Sequence, residues 1–384
     1  MIELKRKQEC CGCTACVSIC PQHCITMLED GEGFLYPSID KNACISCNAC
    51  NKVCPVLKAK KRQHTSFSPE TFAFAAAIND EDVLIKSSSG GLFSAISTLI
   101  IKNKGVVYGA AWLNDEVHHV GIETIDDLAK LRGSKYVQSS IDDSFLKVRD
   151  YLREGRKVLF SGTPCQIAGL RAFLRKDYDN LFTIEVACHG APSPKVLRKY
   201  VQLLKDQYGP NVKIDFRSKP EGWQHYKVTA YTGSKHHFYE GQKENLFMKG
   251  FLRELYSRPI CHECPFKAGV SGADITLADF WGIQDTLASF PSYNGASLVL
   301  AHSNKSKDVL KMLKGVTVEQ VDLTKALSYN AALIHSEQPH PEREYFFRNL
   351  DKESLTTLTN NCLNIRLVTR LRLRIQSYIN IFIR

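Results

Sequence analysis

Ten of the fifteen cysteines fall between residues 10 and 54. Cys10, Cys13, Cys16 and Cys20 precede Pro21, and Cys44, Cys47, Cys50 and Cys54 precede Pro55. Both runs read C-x2-C-x2-C-x3-C-P, the spacing that holds a pair of [4Fe-4S] cubanes, with the fourth thiolate of each run crossing to the other cluster. The expected ligand sets are Cys10, Cys13, Cys16 and Cys54 for the first cluster and Cys44, Cys47, Cys50 and Cys20 for the second. Three thiolates two residues apart reach three irons from one turn of chain. The fourth opens a short helix, and the proline after it fixes φ and leaves no N–H to satisfy. Between the runs, GEGFLYPSID reads as a small hairpin. A disulfide knot would need an oxidising compartment. Paired zinc sites more often show C-x2-C pairs separated by a longer loop. Cys11 and Cys24 lie outside the pattern and read as bystanders.

The later cysteines are sparser. Cys165 sits in GTPC, Cys188 follows the apolar run LFTIEVA, Cys261 and Cys264 form RPICHECPFK, and Cys362 lies near the end. A lone C-x2-C could bind zinc, serve redox chemistry or mean nothing. Cys188 alone reads as a small buried apolar residue. Together Cys165, Cys188, Cys261 and Cys264 are four candidate ligands for a third cluster. Cys362 reads as a bystander.

The elements that must position these residues change character after residue 70. Residues 1–57 are expected to form an α+β, ferredoxin-like dicluster domain, and the polar, basic stretch 58–70 a linker. Residues 71–330 carry apolar runs TFAFAAAI, GVVYGAAWL, KVLFSGTP, LFTIEVACH and ITLADFWGI, which read as buried strands. Helical patterns alternate with them: GGLFSAISTLIIKN, DDSFLKVRDYLREG, CQIAGLRAFLRK and SPKVLRKYVQLLKDQYG. Such alternation predicts an α/β domain with a mainly parallel sheet. Residues 212–240 read as an antiparallel insertion.

Ligands of open α/β sheets lie beyond the strand carboxyl ends, and unusual loops fall there. Ser87, Ser88, Ser89, Gly90 and Gly91 open a helix, which suits a phosphate but also an ordinary serine N-cap. Gly162, Thr163, Pro164, Cys165 and Gln166 open another after a strand. Gly133, Ser134, Lys135, Tyr136, Val137 and Gln138 offer a cation, an aromatic ring and an amide. His118-His119 and His236-His237 lack the spaced partners of a metal site and read as ordinary strand or turn residues. Trp223 could stack on a planar ring or simply pack.

The net charge of +10 is concentrated. Lys58, Lys60, Lys61 and Arg62 have no acid beside them, nor do Arg366, Arg370, Arg372, Arg374 and Arg384 in the last residues. No basic stripe is left for a nucleic-acid surface. No apolar run is long enough to span a bilayer, and MIELKRKQECCGC does not read as a signal peptide. The cytoplasm is the expected compartment. Residues 331–384 are expected to be helical and basic. From 362 to 384, Leu367, Val368, Leu371, Ile375, Tyr378, Ile379 and Phe382 share one helical face. That helix could lie on an anionic membrane, giving a membrane-peripheral protein, or pack on its own domain or a neighbouring protomer in a homo-oligomer.

Over about residues 5–330 the chain resembles the β-subunit family of coenzyme F-420-reducing hydrogenases and dehydrogenases. The matching pieces, in the family's order, are the dicluster block, SSSGGLFSAI, RGSKYVQSS, FSGTPCQIAGLR, CHGAPSP, CHECPF and GADITLADFWG. The resemblance implies a flavin, FAD, beside the clusters, with contacts at Ser87–Gly91, Gly133–Gln138 and Gly162–Gln166. It implies electron flow, in either direction, between clusters fed by ferredoxin or another redox partner and a two-electron small-molecule acceptor. Lys135 is the expected positive charge at the reduced flavin, its alternative being a surface ion pair. Asp274 and Asp279 are expected to orient a loop or relay a proton. The N-terminal dicluster and basic tail look more like the bacterial members from polysaccharide gene clusters than a hydrogenase subunit. Two other functions fit the residues: a non-catalytic electron-relay subunit, and a flavin-free iron–sulfur protein binding a phosphate ligand. No nicotinamide fingerprint is present.

Overall fold

The computed structural model describes residues 2–59 and 66–364. The cysteine-rich N-terminus is built from short pieces. Helix α1 (Ala15–Ile19) leads to the hairpin β1 (Ile25–Glu29) and β2 (Leu35–Ile39), and then to α2 (Ala49–Lys52) and α3 (Pro55–Ala59). The two strands pair antiparallel from Ile25↔Ile39 to Glu29↔Leu35. The N-caps of α1 and α2, Thr14 and Asn48, are both left-handed, with φ of 60°. The repeat in sequence is therefore a repeat in backbone.

Each of the five apolar runs is a strand: β3 (Phe72–Ile78), β4 (Val106–Leu113), β6 (Val158–Gly162), β7 (Leu181–Val186) and β11 (Ile275–Asp279). Three further strands join them, β5 (Glu116–Ile122), β12 (Ser297–Ala301) and β13 (Val316–Val321), in the order β13-β3-β12-β11-β7-β6-β4-β5. Only the neighbouring pairs β4–β6, β6–β7 and β7–β11 are parallel. The sheet is thus mixed rather than mainly parallel. A tight turn at Asn114, φ 57°, folds β5 back on β4, and the chain after β11 returns as antiparallel β12. On the far side, β3 lies antiparallel to both β12 and β13. Parallel pairing needs a crossover, which neither the β4–β5 turn nor the return from β11 to β12 makes. The insertion is as expected: β8 (Lys213–Ser218), β9 (Lys227–Thr232) and β10 (Lys235–Gly241) form an antiparallel sheet of their own.

Four of the helices follow from their sequence patterns. After the short α4 (Glu81–Ile85) come α5 (Leu92–Lys102), α6 (Ser144–Arg153), α7 (Pro164–Leu174) and α8 (Pro194–Tyr208). Helix α7 starts with Pro164 and a capping box in which Thr163 and Gln166 satisfy each other's free backbone N–H, which removes two of the donors a helix start leaves unpaired. Beyond residue 330, helices span Arg343–Asn349 and Leu355–Leu363. The expected amphipathic helix of 362–384 lies outside the described residues beyond Asn364, as does 60–65 within the expected linker. No helix among the described residues is long and apolar enough to cross a membrane.

One apolar core runs through both parts of the chain. Ala15, Val53 and Val56 of the cysteine-rich region are packed in the same cluster as Phe145, Ile167, Leu170 and Phe266. The approach is close enough to demand glycine. A Cβ on Gly169 of α7 would lie 2.8 Å from the Cβ and 2.9 Å from the Sγ of Cys13. Polar bonds pin the rim: Arg343 grips Glu32 at 2.6 and 3.2 Å, Arg198 meets Glu29 at 2.6 Å, and Ser193 Oγ donates to the Glu32 carbonyl at 2.5 Å.

Candidate functional site

The thiols gather in three groups. Cys20, Cys44, Cys47 and Cys50 line one cavity, with Cys24 as a fifth thiol. Cys20 and Cys24 lie 3.4 Å apart, sulfur to sulfur. Cys47 is exposed and Cys44 half-buried, and Ile45 between them is 60% exposed. Placing Cys20 with the second run follows from α1, which points the end of the first run at it.

The second group is deeper. Burial pushes the Cys16 thiol up to about 12, and the neighbouring Cys10 and Cys54 add to the rise. Burial also raises Cys54, with Cys10 again contributing. At Cys13 the contact with Cys11 lowers the pKa, but burial and the nearby Cys16 and Cys10 leave it raised. The Gly12 N–H points at Cys10 Sγ at 3.3 Å. Thiols crowded in this way resist ionising, since each thiolate would be desolvated and repelled by the next. Iron supplies the missing positive charge and takes the protons' place. Among the described residues no three His, Cys, Asp or Glu side chains surround a single-ion position. A cubane spreads its four ligands over four irons, further apart than the ligands of one ion. The donor set, its spacing and its burial fit [4Fe-4S] clusters.

The third group is Cys165, Cys188, Cys261 and Cys264. Burial pushes Cys188 up to about 12, and Cys165 and Cys264 add to the rise. Burial raises Cys264 to about 11, with Cys165 next. Cys261 is raised well above its usual range by burial, then by Cys188 and Cys264. These side chains come from the start of α7, the end of β7 and a one-turn 3-10 helix at Pro259–Glu263. The Ala191 N–H meets Cys261 Sγ at 3.4 Å, and Thr163 Oγ1 lies 3.2 Å from Cys165 Sγ. This group touches the second one through a residue the spacing rules set aside. The Cys11 thiol lies beside those of both Cys13 and Cys165, the Cys13 contact being the largest cause of its strongly raised pKa. Nothing in the cysteine pattern marks Cys11. Only its neighbours in space do.

The loops expected at a flavin meet in part. Ser134 donates from its N–H and its hydroxyl to Ser88 Oγ, each at 2.8 Å. Gly133, at φ 79°, has open space where a Cβ would stand. Gly90 differs: a Cβ there would lie 2.2 Å from the Ala76 carbonyl oxygen, so this glycine serves packing on β3. Ser89 Oγ donates to the Ala296 carbonyl at 2.6 Å, Ser87 Oγ donates to the Val83 carbonyl at 2.7 Å, and Gly91 caps α5. Lys135 donates to the carbonyls of Arg132 and Lys130 at 2.7 and 3.2 Å and forms no ion pair among the described residues. Burial lowers its pKa to about 7. Gln166 is buried and committed to the capping box and to Ser139 Oγ, 2.9 Å away. Gln138 turns towards the cysteines and donates to the Cys11 carbonyl at 3.0 Å.

Arg217 was not legible in the sequence. It is buried in β8 and grips Asp279 with two bonds of 2.8 and 2.9 Å. It also donates to the Ser88 carbonyl at 2.9 Å and to Tyr136 at 3.3 Å, tying two of the loops together. Asp279 therefore anchors a loop. Asp274 does the same, accepting from Thr183 N–H, Thr183 Oγ1 and Arg171 at 2.7, 2.6 and 3.0 Å. Trp223 is buried and stacks on Trp281, ring centres 4.9 Å apart. His119 is buried between Ser161 and Ser139, and His118 pairs with Asp142 at 2.7 Å.

Two stretches of the chain match known protein families. Residues 9–57 match the 4Fe-4S dicluster domain. Residues 155–325 match the family described as the C terminus of the coenzyme F420 hydrogenase/dehydrogenase beta subunit. A coenzyme F420-dependent sulfite reductase of Methanocaldococcus jannaschii is 23% identical over 272 residues, covering 68% of this chain and 41% of the relative. The chain thus spans less than half the length of that relative. A chain of the F420-reducing [NiFe] hydrogenase complex from Methanosarcina barkeri shows 19% identity and a TM-score of 0.46, over 69% of this chain and 92% of that one. The chain is thus similar to a 4Fe-4S dicluster domain over residues 9–57 and to the C terminus of the coenzyme F420 hydrogenase/dehydrogenase beta subunit over residues 155–325.

Proposed function

We propose that this protein is an iron–sulfur oxidoreductase that moves electrons between a redox partner and a two-electron acceptor through three [4Fe-4S] clusters and a flavin. The carrying observation is the continuity of the thiols. They run from exposed Cys47, through half-buried Cys10 and buried Cys13, Cys16 and Cys54, across Cys11 to Cys165. The second cluster is assigned to Cys44, Cys47, Cys50 and Cys20, and the third to Cys165, Cys188, Cys261 and Cys264. The exposed end is where a ferredoxin or similar carrier docks.

A bound FAD supplies the exchange between one-electron and two-electron chemistry. The chain's own residues hold and orient it. The Ser88–Ser134 pair and the open face of Gly133 admit the cofactor, and Arg217 fixes the two loops. Lys135 offers a half-buried cation whose neighbours are carbonyls, so an anionic ligand supplies the counter-charge it lacks. The acceptor is a small organic molecule, and the names of the relatives put coenzyme F420 first among them. The likeness to proteins of polysaccharide gene clusters extends the proposal to a reduction in cell-surface polysaccharide synthesis.

Anaerobic reconstitution tests this. About twelve irons per chain, four to each cubane, with reduced-cluster paramagnetic signals and flavin freed by acid, are the expected result. About eight irons removes the third cluster. Full iron without flavin removes the oxidoreductase reading in favour of a flavin-free phosphate binder. A colourless protein ends the proposal.

A further inference from the structure

Arg258 is 1% exposed, and no carboxylate among the described residues pairs with it. Its Nε donates to the Cys10 carbonyl at 2.9 Å, its Nη2 to the Leu35 carbonyl at 2.8 Å, and its Nη1 to Gln138 Oε1 at 2.7 Å. The guanidinium lies 4.4 Å from the ring centre of Tyr36 and 5.4 Å from that of Phe34. It leaves so little room that a Cβ on Gly12 would come within 2.8 Å of Nη1. Its own backbone lies three residues before Cys261, whose N–H donates to the Arg258 carbonyl at 2.9 Å. The nearby acids are spoken for, Glu32 by Arg343 and Asp30 by Lys7.

A buried guanidinium stays charged, and burying a charge without a counter-ion is costly. A cubane with four thiolates is an anion, and each electron it accepts makes it more negative. We propose that Arg258 is an electrostatic positioning residue: its fixed charge raises the reduction potential of the cluster held by Cys10, Cys13, Cys16 and Cys54 above that of the exposed cluster. Electrons entering at Cys47 then fall inward towards Cys165. The proposal rests on the cluster assignment above, which the wild-type iron content and paramagnetic signals test separately.

The test is a redox titration followed by electron paramagnetic resonance on the full-length reconstituted protein. In Arg258→Gln, one cluster is expected to lose at least tenfold in its preference for the electron, which is ~59 mV for a one-electron couple. The other N-terminal cluster should change less than threefold. Arg258→Lys keeps the charge but not the fork, and should hold the wild-type potential within threefold. Gln138→Glu places a carboxylate against Nη1 and is expected to lower the same potential as Arg258→Gln does. Unmoved potentials in iron-replete Arg258→Gln overturn the proposal, as does an equal fall in Arg258→Lys. If Arg258→Gln holds no iron, Gln138→Glu decides: an unmoved potential, or loss of iron there as well, makes Arg258 a structural bolt only.

Discussion

At the scale of single residues, charge and burial oppose each other at Lys135. Its pKa is lowered to about 7 because burial penalises the ammonium form. In the unfolded chain an ordinary lysine titrates near 10.4. Between those values the unfolded state binds the extra proton, so this residue makes the fold more stable as pH rises from about 7 towards 10. Below pH 7 both states are charged, and the full cost of burial is present. Lys135→Met should therefore raise the melting temperature at pH 6. One pKa unit is ~1.4 kcal/mol, and ~1 kcal/mol gives about 1–2 °C in a folding unit of this size. The gain should shrink through pH 8 and vanish near pH 10. A gain independent of pH would show that packing, not charge, is at stake.

At the scale of elements, the contact of α7 with the cysteine-rich loop governs the first cluster. Gly169 lies inside that helix, where alanine is ordinarily better by ~1 kcal/mol. Here the Cβ would strike Cys13. Gly169→Ala is expected to lower the melting temperature despite its helix propensity and to cost about four irons per chain. Full iron content with a raised melting temperature would mean that α7 can move away freely. The same helix start carries Thr163, whose cap is worth ~1 kcal/mol and whose hydroxyl touches Cys165.

At the scale of the molecule, the shared core makes the two parts one folding unit. The cluster loops contribute Ala15, Val53 and Val56 to the same apolar cluster as Phe145 and Leu170. Removing residues 1–57 should uncover that face, giving a protein that aggregates or binds a hydrophobic dye strongly. A monodisperse fragment with the wild-type melting temperature would contradict a common core. Stripping iron with a chelator should likewise lower the stability of the whole chain in one transition, because metal binding here is coupled to folding.

By itself the sequence determined the eight thiols of the dicluster, because a covalent spacing of two and three residues is a local property that needs no fold to be read. It also determined the five apolar strands and their alternating helices, since buried runs and 3.6-residue periodicity are local too. Strand direction was not local. The reversed β5, β12 and β13 depend on links that turn back or cross, and β13 has only a half-buried face to announce it. Tertiary structure alone decided that Cys11 and Cys24 stand among the other thiols, that Arg217 holds two loops, and that Arg258 reaches across 248 residues to the Cys10 carbonyl. Such roles come from packing between distant segments, where a residue's type constrains what it can do but not what it will meet.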